Sequence, residues 1–406
     1  MNFIKSIIPM NDVSLKDILT FKKSFSNVTM AVLTVFLVAI FCAGALLYFL
    51  EGHHAYNVYK QHPWGLIIGM YVFFVVSSTG LCIMSSLGHV FGIKEFEIIG
   101  KRAILGAIIT ISTGFIVIAL EIGHPVTMII YNILTPNFTS AIWWMGTLYG
   151  LYLCFIIFEF IFLVRNDHKW SKFFGLGGLL VGIAAHSNLG AVFGFLIARP
   201  IANGVFFPIY FILSAMITGS YLLFLMYGFR YKMNFPEEVK AMLTKLAKIL
   251  GLLLAILMFF ETWRMFTTIY GGMPERSEAA WHILTSANFI FGEVLLGMLI
   301  PFIIILSSKG KNIKGMVWAS ILGMIGIFFM RYDLVHDTLV YPMQMMKITE
   351  YQLAPTLIHY SPTWTEWAIS LGAIGITLSF YYIGENFFFL DPIEHDEYFE
   401  DYQEIK

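Results

Sequence analysis

Charge is scarce in this chain. Asp, Glu, Lys and Arg make up 13% of its 406 residues, about half the roughly 25% of a soluble domain. That scarcity excludes a soluble enzyme and a disordered chain. Basic excess is absent too: the net charge is −1, so no positive field draws nucleic acid. Cysteine is scarcer still. Cys42, Cys82 and Cys154 are the only three, each inside an apolar run, and no Cys-x-x-Cys occurs. We therefore expect no iron–sulfur cluster, zinc site or c-type haem on this chain alone, and assign any metal redox centre to a partner. No cleavable leader is expected, because Met1 to Ser26 is polar and mildly amphipathic and is followed by a run long enough to span.

Apolar residues fill the space that charge leaves. They make up 58% of the chain, aromatics make up 17%, and mean hydropathy is +0.76. A bilayer-spanning helix needs about 20 apolar residues. Ten such runs are predicted, at 28–50, 64–92, 102–121, 139–164, 173–198, 205–229, 246–270, 279–307, 315–334 and 364–389. The fold class is all-α and polytopic. Basic residues set the orientation. Alternate connections and the termini collect 19 of the 25 Lys and Arg, leaving Lys60, Arg199, Arg264, Arg276, Arg331 and Lys347 on the other side. Both termini are thus predicted to be cytoplasmic, in a cell inner membrane.

Four outer connections are predicted, at 51–63, 122–138, 271–278 and 335–362. They are long, rich in His, Pro, Tyr and Met, and candidates for docking a partner. Residues 391–400 form a strongly acidic start to the last tail, read as a solvated segment.

A sparse repeat relates spans 2–4 to spans 6–8. Tyr71 precedes Thr79-Gly80 by the interval at which Tyr210 precedes Thr218-Gly219. Glu121 with His124 matches Glu261 with Arg264, and Thr139-Ser140-Ala141 matches Thr285-Ser286-Ala287. Both copies start on the outer side, so the repeat is parallel. The implied organisation is a tail (1–27), a first helix and outer loop (28–63), four-helix bundles (64–200 and 201–334), an outer loop with the last helix (335–390) and an acidic tail (391–406).

Titratable groups inside spans are costly, about 2.5–3.5 kcal/mol each on the insertion scale, so each needs a reason. Glu121 and His124 sit at the outer end of span 3, where they would share a helix face and exchange protons. His186 lies midway along span 5. His89 and Glu159 lie toward the inner ends of spans 2 and 4, and Glu261 near the outer end of span 7. Glu293 is deep in span 8 and is the least comfortable carboxylate. His89, Glu159, His186, Glu261 and Glu293 are the candidate proton path; capping, snorkelling and ordinary core packing are the structural alternatives. Trp143-Trp144 read as an interfacial belt. Arg199 closes span 5 before Pro200, as a helix anchor or a ligand contact.

Several of these segments carry a resemblance. Pro63-Trp64-Gly65-Leu66, Leu120-Glu121-Ile122-Gly123-His124-Pro125, Thr139-Ser140-Ala141-Ile142-Trp143-Trp144, His186-Ser187-Asn188-Leu189-Gly190, Gly292-Glu293-Val294-Leu295-Leu296-Gly297 and Arg331-Tyr332 follow one another in order. Tyr360-Ser361-Pro362 with Glu366 comes next. The order resembles the NrfD/polysulfide reductase membrane-subunit family, over about residues 60–390. Ten spans resemble its longer branch, that of hydrogenase-2-type, sulfite-reductase-associated and alternative-complex-III subunits. The resemblance implies a membrane anchor exchanging electrons between an exchangeable quinone (menaquinone or ubiquinone) and an outer-facing iron–sulfur ferredoxin-like subunit. That subunit would serve a molybdopterin enzyme, a nickel–iron hydrogenase or a multihaem cytochrome. Tyr71, Glu121, His124, Trp144 and Arg199 are then the expected quinone-binding set. The family's Asp-Leu-Gly-Arg-Pro has Glu121 for its aspartate and His124 for its arginine, which exchanges a fixed charge for a titratable one. The family's quinone-contacting histidine falls at Tyr71. A secondary transporter and a b-type cytochrome subunit are the alternatives. The repeat is parallel where transporters often invert theirs, and His186 and His89 lie at different depths for bis-His ligation.

Overall fold

Backbone amides find no water inside a bilayer, so apolar runs of this length must close their hydrogen bonds within helices. The computed structural model describes residues 25–340 and 357–391, apart from Ala198, Pro200 and Asn203. The N-terminal basic cluster Lys5, Lys16, Lys22 and Lys23, the stretch with Lys347 and the acidic tail past Asp391 lie outside the described residues. Within them the chain is helical, with one isolated bridge between Tyr59 and His62. Ten of the described helices are long and apolar enough to cross a membrane.

In chain order the helices are α1 (Phe25–Glu51), α2 (Leu66–His89), α3 (Gly100–Ala119), α4 (Pro125–Leu134), α5 (Ala141–Val164), α6 (His168–Gly194), α7 (Phe206–Tyr231), α8 (Glu237–Tyr270) and α9 (Pro274–Thr285). A π-helical segment, Asn288–Leu299, runs into α10 (Ile300–Ser308); α11 (Ile313–Val340) and α12 (Trp364–Phe387) complete the fold. Polar side chains open several of them. Ser140 Oγ accepts from Trp143 N at 3.3 Å, and Asp167 Oδ1 from Trp170 N at 3.2 Å. Thr363 and Glu366 form a reciprocal capping box at the start of α12.

Helix α2 is the axis of the molecule. It is buried along almost its whole length and packs against α3, α6, α7 and α11. It meets α7 at Gly80 and Gly219, the two glycines that the expected repeat would pair, where a Cβ on either would overlap the other helix's backbone. Small residues also seat α1, whose Gly44 faces Ala368 and Ile369, while Gly372 and Gly375 of α12 face Phe41 and Leu37.

The helix boundaries depart from the sequence reading in three places. Span 8, expected to be continuous over 279–307, is broken: α9 ends at Thr285, Ser286 is extended, and Ser286 Oγ accepts from Phe289 N at 3.1 Å to start the π segment. The expected outer loop at 122–138 contains α4. The loop expected from residue 335 begins later, because α11 continues to Val340 with Asp333 and Thr338 buried in it. Only at α11 does hydropathy drop while the backbone remains helical; α4 is itself apolar, and at Ser286 the backbone breaks. Three arginines counted as loop charges are buried or half-buried in helices. Arg331 is fully buried, Arg264 lies over the Phe206 and Phe207 rings, and Arg102 pairs with Glu385 at 2.5 Å and Asp391 at 3.0 Å.

Candidate functional site

At the end of the molecule poor in basic residues, α3 stops at Ala119 and the chain reverses through Gly123, whose φ is +71°. Glu121 is held in that reversal. Tyr56 donates its hydroxyl to the Leu120 carbonyl at 3.1 Å, and its ring stacks on Tyr48 of α1 with centroids 5.3 Å apart. This aromatic wall encloses Glu121. Burial, with the nearby Glu366 carboxylate, pushes its carboxyl pKa up to about 8. Its Oε2 is buried with no hydrogen-bond partner. A half-buried acid with one buried, unpartnered oxygen is poised to exchange a proton near neutrality.

Beside it, Glu366 is saturated. Its Oε2 accepts from Asn57 N at 3.2 Å and Thr363 N at 2.9 Å, and its Oε1 accepts from Leu66 N at 3.3 Å and from the Tyr360 hydroxyl. The Tyr360 ring lies flat on His62, with centroids 4.4 Å apart and planes 8° apart. His62 is fully buried, and its Nε2 is 3.1 Å from Nδ1 of His336 on α11. Arg199 closes this side by donating to the carbonyls of Leu339 at 3.3 Å and Gln61 at 3.4 Å. Burial lowers the pKa of its guanidinium.

Two further polar groupings lie deeper. One descends through the first half. His186 Nδ1 meets the Tyr149 hydroxyl at 3.0 Å, with Tyr71 within electrostatic reach. Tyr152 donates to the Ser78 carbonyl at 3.1 Å, and at the basic-rich end His89 Nε2 is 2.5 Å from Glu159 Oε1. The other lies in the second half. Arg264 holds Glu261 at 3.1 Å, and Asn288 donates to Asp333 Oδ1 at 3.1 Å. Tyr210, Arg264, Glu293, Asp333 and Asp337 line a cavity with room for about one water.

The family described as Polysulphide reductase, NrfD matches residues 52–342. The chain belongs to that family. Two relatives illustrate its range. A selenate reductase subunit from Mesobacillus selenatarsenatis is 26% identical over 81% of this chain and 86% of its own length. The Hdr-like menaquinol oxidoreductase integral membrane subunit of Archaeoglobus fulgidus is 27% identical over 89% of this chain and 93% of its own.

This NrfD-family chain spreads the residues expected at the site over several places. Glu121 is enclosed by Tyr48, Tyr56 and Glu366. Arg199 lies across the same end, on the His62 side. Tyr71 is inside the bundle, in the Tyr149–His186 group. His124 is exposed at the start of α4, and Trp144 is 37% exposed, with its indole donating to the Phe138 carbonyl at 3.0 Å. Of the proton-path residues, His89 and Glu159 adjoin each other, His186 joins Tyr149, and Glu261 and Glu293 belong to the second half. Sequence reasoning missed His62, His336, Asp333 and Asp337, and quoted Tyr360 and Glu366 only as part of the resemblance. Two signals were present: Thr363-x-x-Glu366 is a capping box, and Asp333 and Asp337 stand one helical turn apart.

Proposed function

We propose that this chain is the quinone-exchanging membrane anchor of a respiratory oxidoreductase complex. Family membership and the two relatives, named as subunits of a selenate reductase and a menaquinol oxidoreductase, support the anchor role. The observation that carries the quinone reading is Glu121, a half-buried carboxyl with one buried, unpartnered oxygen, at the position of the family's acidic residue. Menaquinone or ubiquinone is the exchangeable substrate, giving up or taking two electrons and two protons.

The chain's own residues supply the proton side of that exchange. The free Oε2 of Glu121 accepts a proton when ionised and donates one when neutral. Tyr48 and Tyr56 keep bulk water off it, and Tyr56 fixes the turn by holding Leu120. The His186–Tyr149 contact, with Tyr71 nearby, offers a second polar group on the inner side of the same bundle. Electrons are exchanged with an iron–sulfur ferredoxin-like subunit on the outer face. Its catalytic partner is a molybdopterin enzyme, a nickel–iron hydrogenase or a multihaem cytochrome. In this reading the basic-rich end and both termini are cytoplasmic, and the membrane is the cell inner membrane. The carboxylates around the water-sized cavity favour an added role in moving protons across the membrane.

The test is Glu121→Gln in the assembled complex. Quinone-linked turnover should fall about a hundredfold, the scale of a lost general acid–base group, while dye-linked activity of the catalytic partner persists. Unchanged quinone-linked turnover would remove Glu121 from the mechanism.

A further inference from the structure

We propose that His62 and His336, approached through Tyr360 and Glu366, form a proton relay that connects the Glu121 site to the end of α11. The proposal rests on the quinone reading above and adds the route by which protons leave or reach that site.

Contact geometry carries the argument. The two imidazoles meet Nε2 to Nδ1 at 3.1 Å, a distance that requires one nitrogen to donate and the other to accept. A single N–H therefore lies between them, and both rings are neutral in that arrangement. Burial agrees, holding His62 down to about 4. The other nitrogen of His62, Nδ1, is buried and has no hydrogen-bond partner, so it is free to accept. His336 is half-buried, which places its remaining nitrogen at the way out.

One transfer balances as follows. A proton arrives at His62 Nδ1, the Nε2 proton of His62 passes to His336 Nδ1, and His336 releases its Nε2 proton. Each ring ends with the proton count it began with, in the opposite tautomer, and reorientation of the rings resets the pair before the next proton. On the input side the sequence is Glu121, Glu366 and the Tyr360 hydroxyl, with Glu366 within electrostatic reach of Glu121 and bonded to Tyr360. Tyr360 and His62 are stacked and share no hydrogen bond, so the proposed transfer between them needs a bridging water.

Charged and titratable groups surround the pair on every side. His62 faces Tyr360, Tyr59 from its own loop and Arg199. His336 faces Tyr332 on its own helix, Tyr360, His282 and His359. Arg199 is the fixed cation of the set, and it disfavours a positive charge on His62, which keeps the pair shuttling one proton rather than trapping a second.

A pair that merely staples the 57–62 loop to α11 would tolerate a glutamine, which still donates and accepts. A relay would not, because an amide does not pass a proton on. His62→Gln and His336→Gln, each in the assembled complex, should lower quinone-linked turnover at least about tenfold. Added imidazole should restore part of it, and complex yield and dye-linked activity should remain. Glu121→Gln runs alongside. A loss in Glu121→Gln with full turnover in both glutamine variants overturns the relay and leaves the quinone reading standing. Full turnover in Glu121→Gln overturns the quinone reading and the relay together. Loss in the histidine variants without imidazole rescue, accompanied by poor assembly, assigns the pair to stapling and overturns the relay.

Discussion

Glu121 and Glu261, which the sequence spacing pairs with each other, live in opposite surroundings. At the first, α3 stops two residues before Glu121, the residue three positions on is an exposed His124, and the half-buried carboxyl has no cation beside it. In the second half α8 runs on to Tyr270, so Glu261 stays on a helix face and Arg264, one turn later, takes it at 3.1 Å. A break in one helix thus leaves an acid free to titrate, and its absence in the other leaves an acid neutralised. The same division extends outward. Glu121 looks toward a wall of rings, whereas Glu261 borders a group that adds Glu293, Asp333 and Asp337 around a water-sized space. The comparison teaches that an acidic residue's role here follows from where its helix ends, not from its position in the repeat.

The largest expected contrast is in stability. Glu261→Gln leaves Arg264 without its paired anion and should cost about 3–5 kcal/mol, read as lost assembly or a lowered thermal midpoint. Adding Arg264→Gln should recover most of it. Glu121→Gln removes an unpaired acid that already carries its proton at neutrality, and should leave the midpoint nearly unchanged. Equal losses in the two single variants would erase the distinction.

Next in size is a pH effect. Glu121 titrates at about 8 in the folded chain against an ordinary 4.5, so the fold binds the extra proton between those values. Its contribution to stability therefore falls as pH rises through that window. His62, held at about 4 against an ordinary 6.5, acts with the opposite sign and only below 6.5. From pH 6.5 to 8 the thermal midpoint should decline in the natural chain and decline less steeply in Glu121→Gln. Turnover should show the same group: quinol oxidation, which needs the ionised acid, rises through about pH 8, and quinone reduction falls through it. A Glu121→Gln profile with both limbs intact would assign them to another group.

The smallest contrast compares the two Thr-Ser-Ala openings. Ser140 caps α5 and Ser286 opens the π segment by equivalent bonds. Alanine at either should cost about 1 kcal/mol of thermal stability. A cost at Ser140 alone would show that the π segment is held by its packing.

Much of the fold was legible because lipid leaves the backbone few choices. Ten apolar runs became ten spanning helices, and Ser140 caps its helix where the Thr-Ser-Ala motif placed an opening. The break before the π segment was not legible, since Ser286 sits inside a run that is apolar on both sides and its role depends on one side-chain bond. Asp333 was hidden by its own polarity: a hydropathy reading ends the span there, while packing against the π segment buries it. The His62–His336 contact joins residues 274 positions apart. Nothing in local spacing announces such a pair. Glu121 was visible from its sequence surroundings, but its titration near 8 depends on Tyr48, Tyr56 and Glu366, which three distant segments bring together.

The meeting of Gly80 and Gly219 has a mechanical consequence. Where two helices touch backbone to backbone, no side chain can change rotamer to let them slide or tilt. Helices α2 and α7 are therefore locked where these glycines meet, and sliding one past the other would break the contact. That geometry is unsuited to a carrier that alternately opens to each side of a membrane. It suits a stationary frame whose helices keep their places.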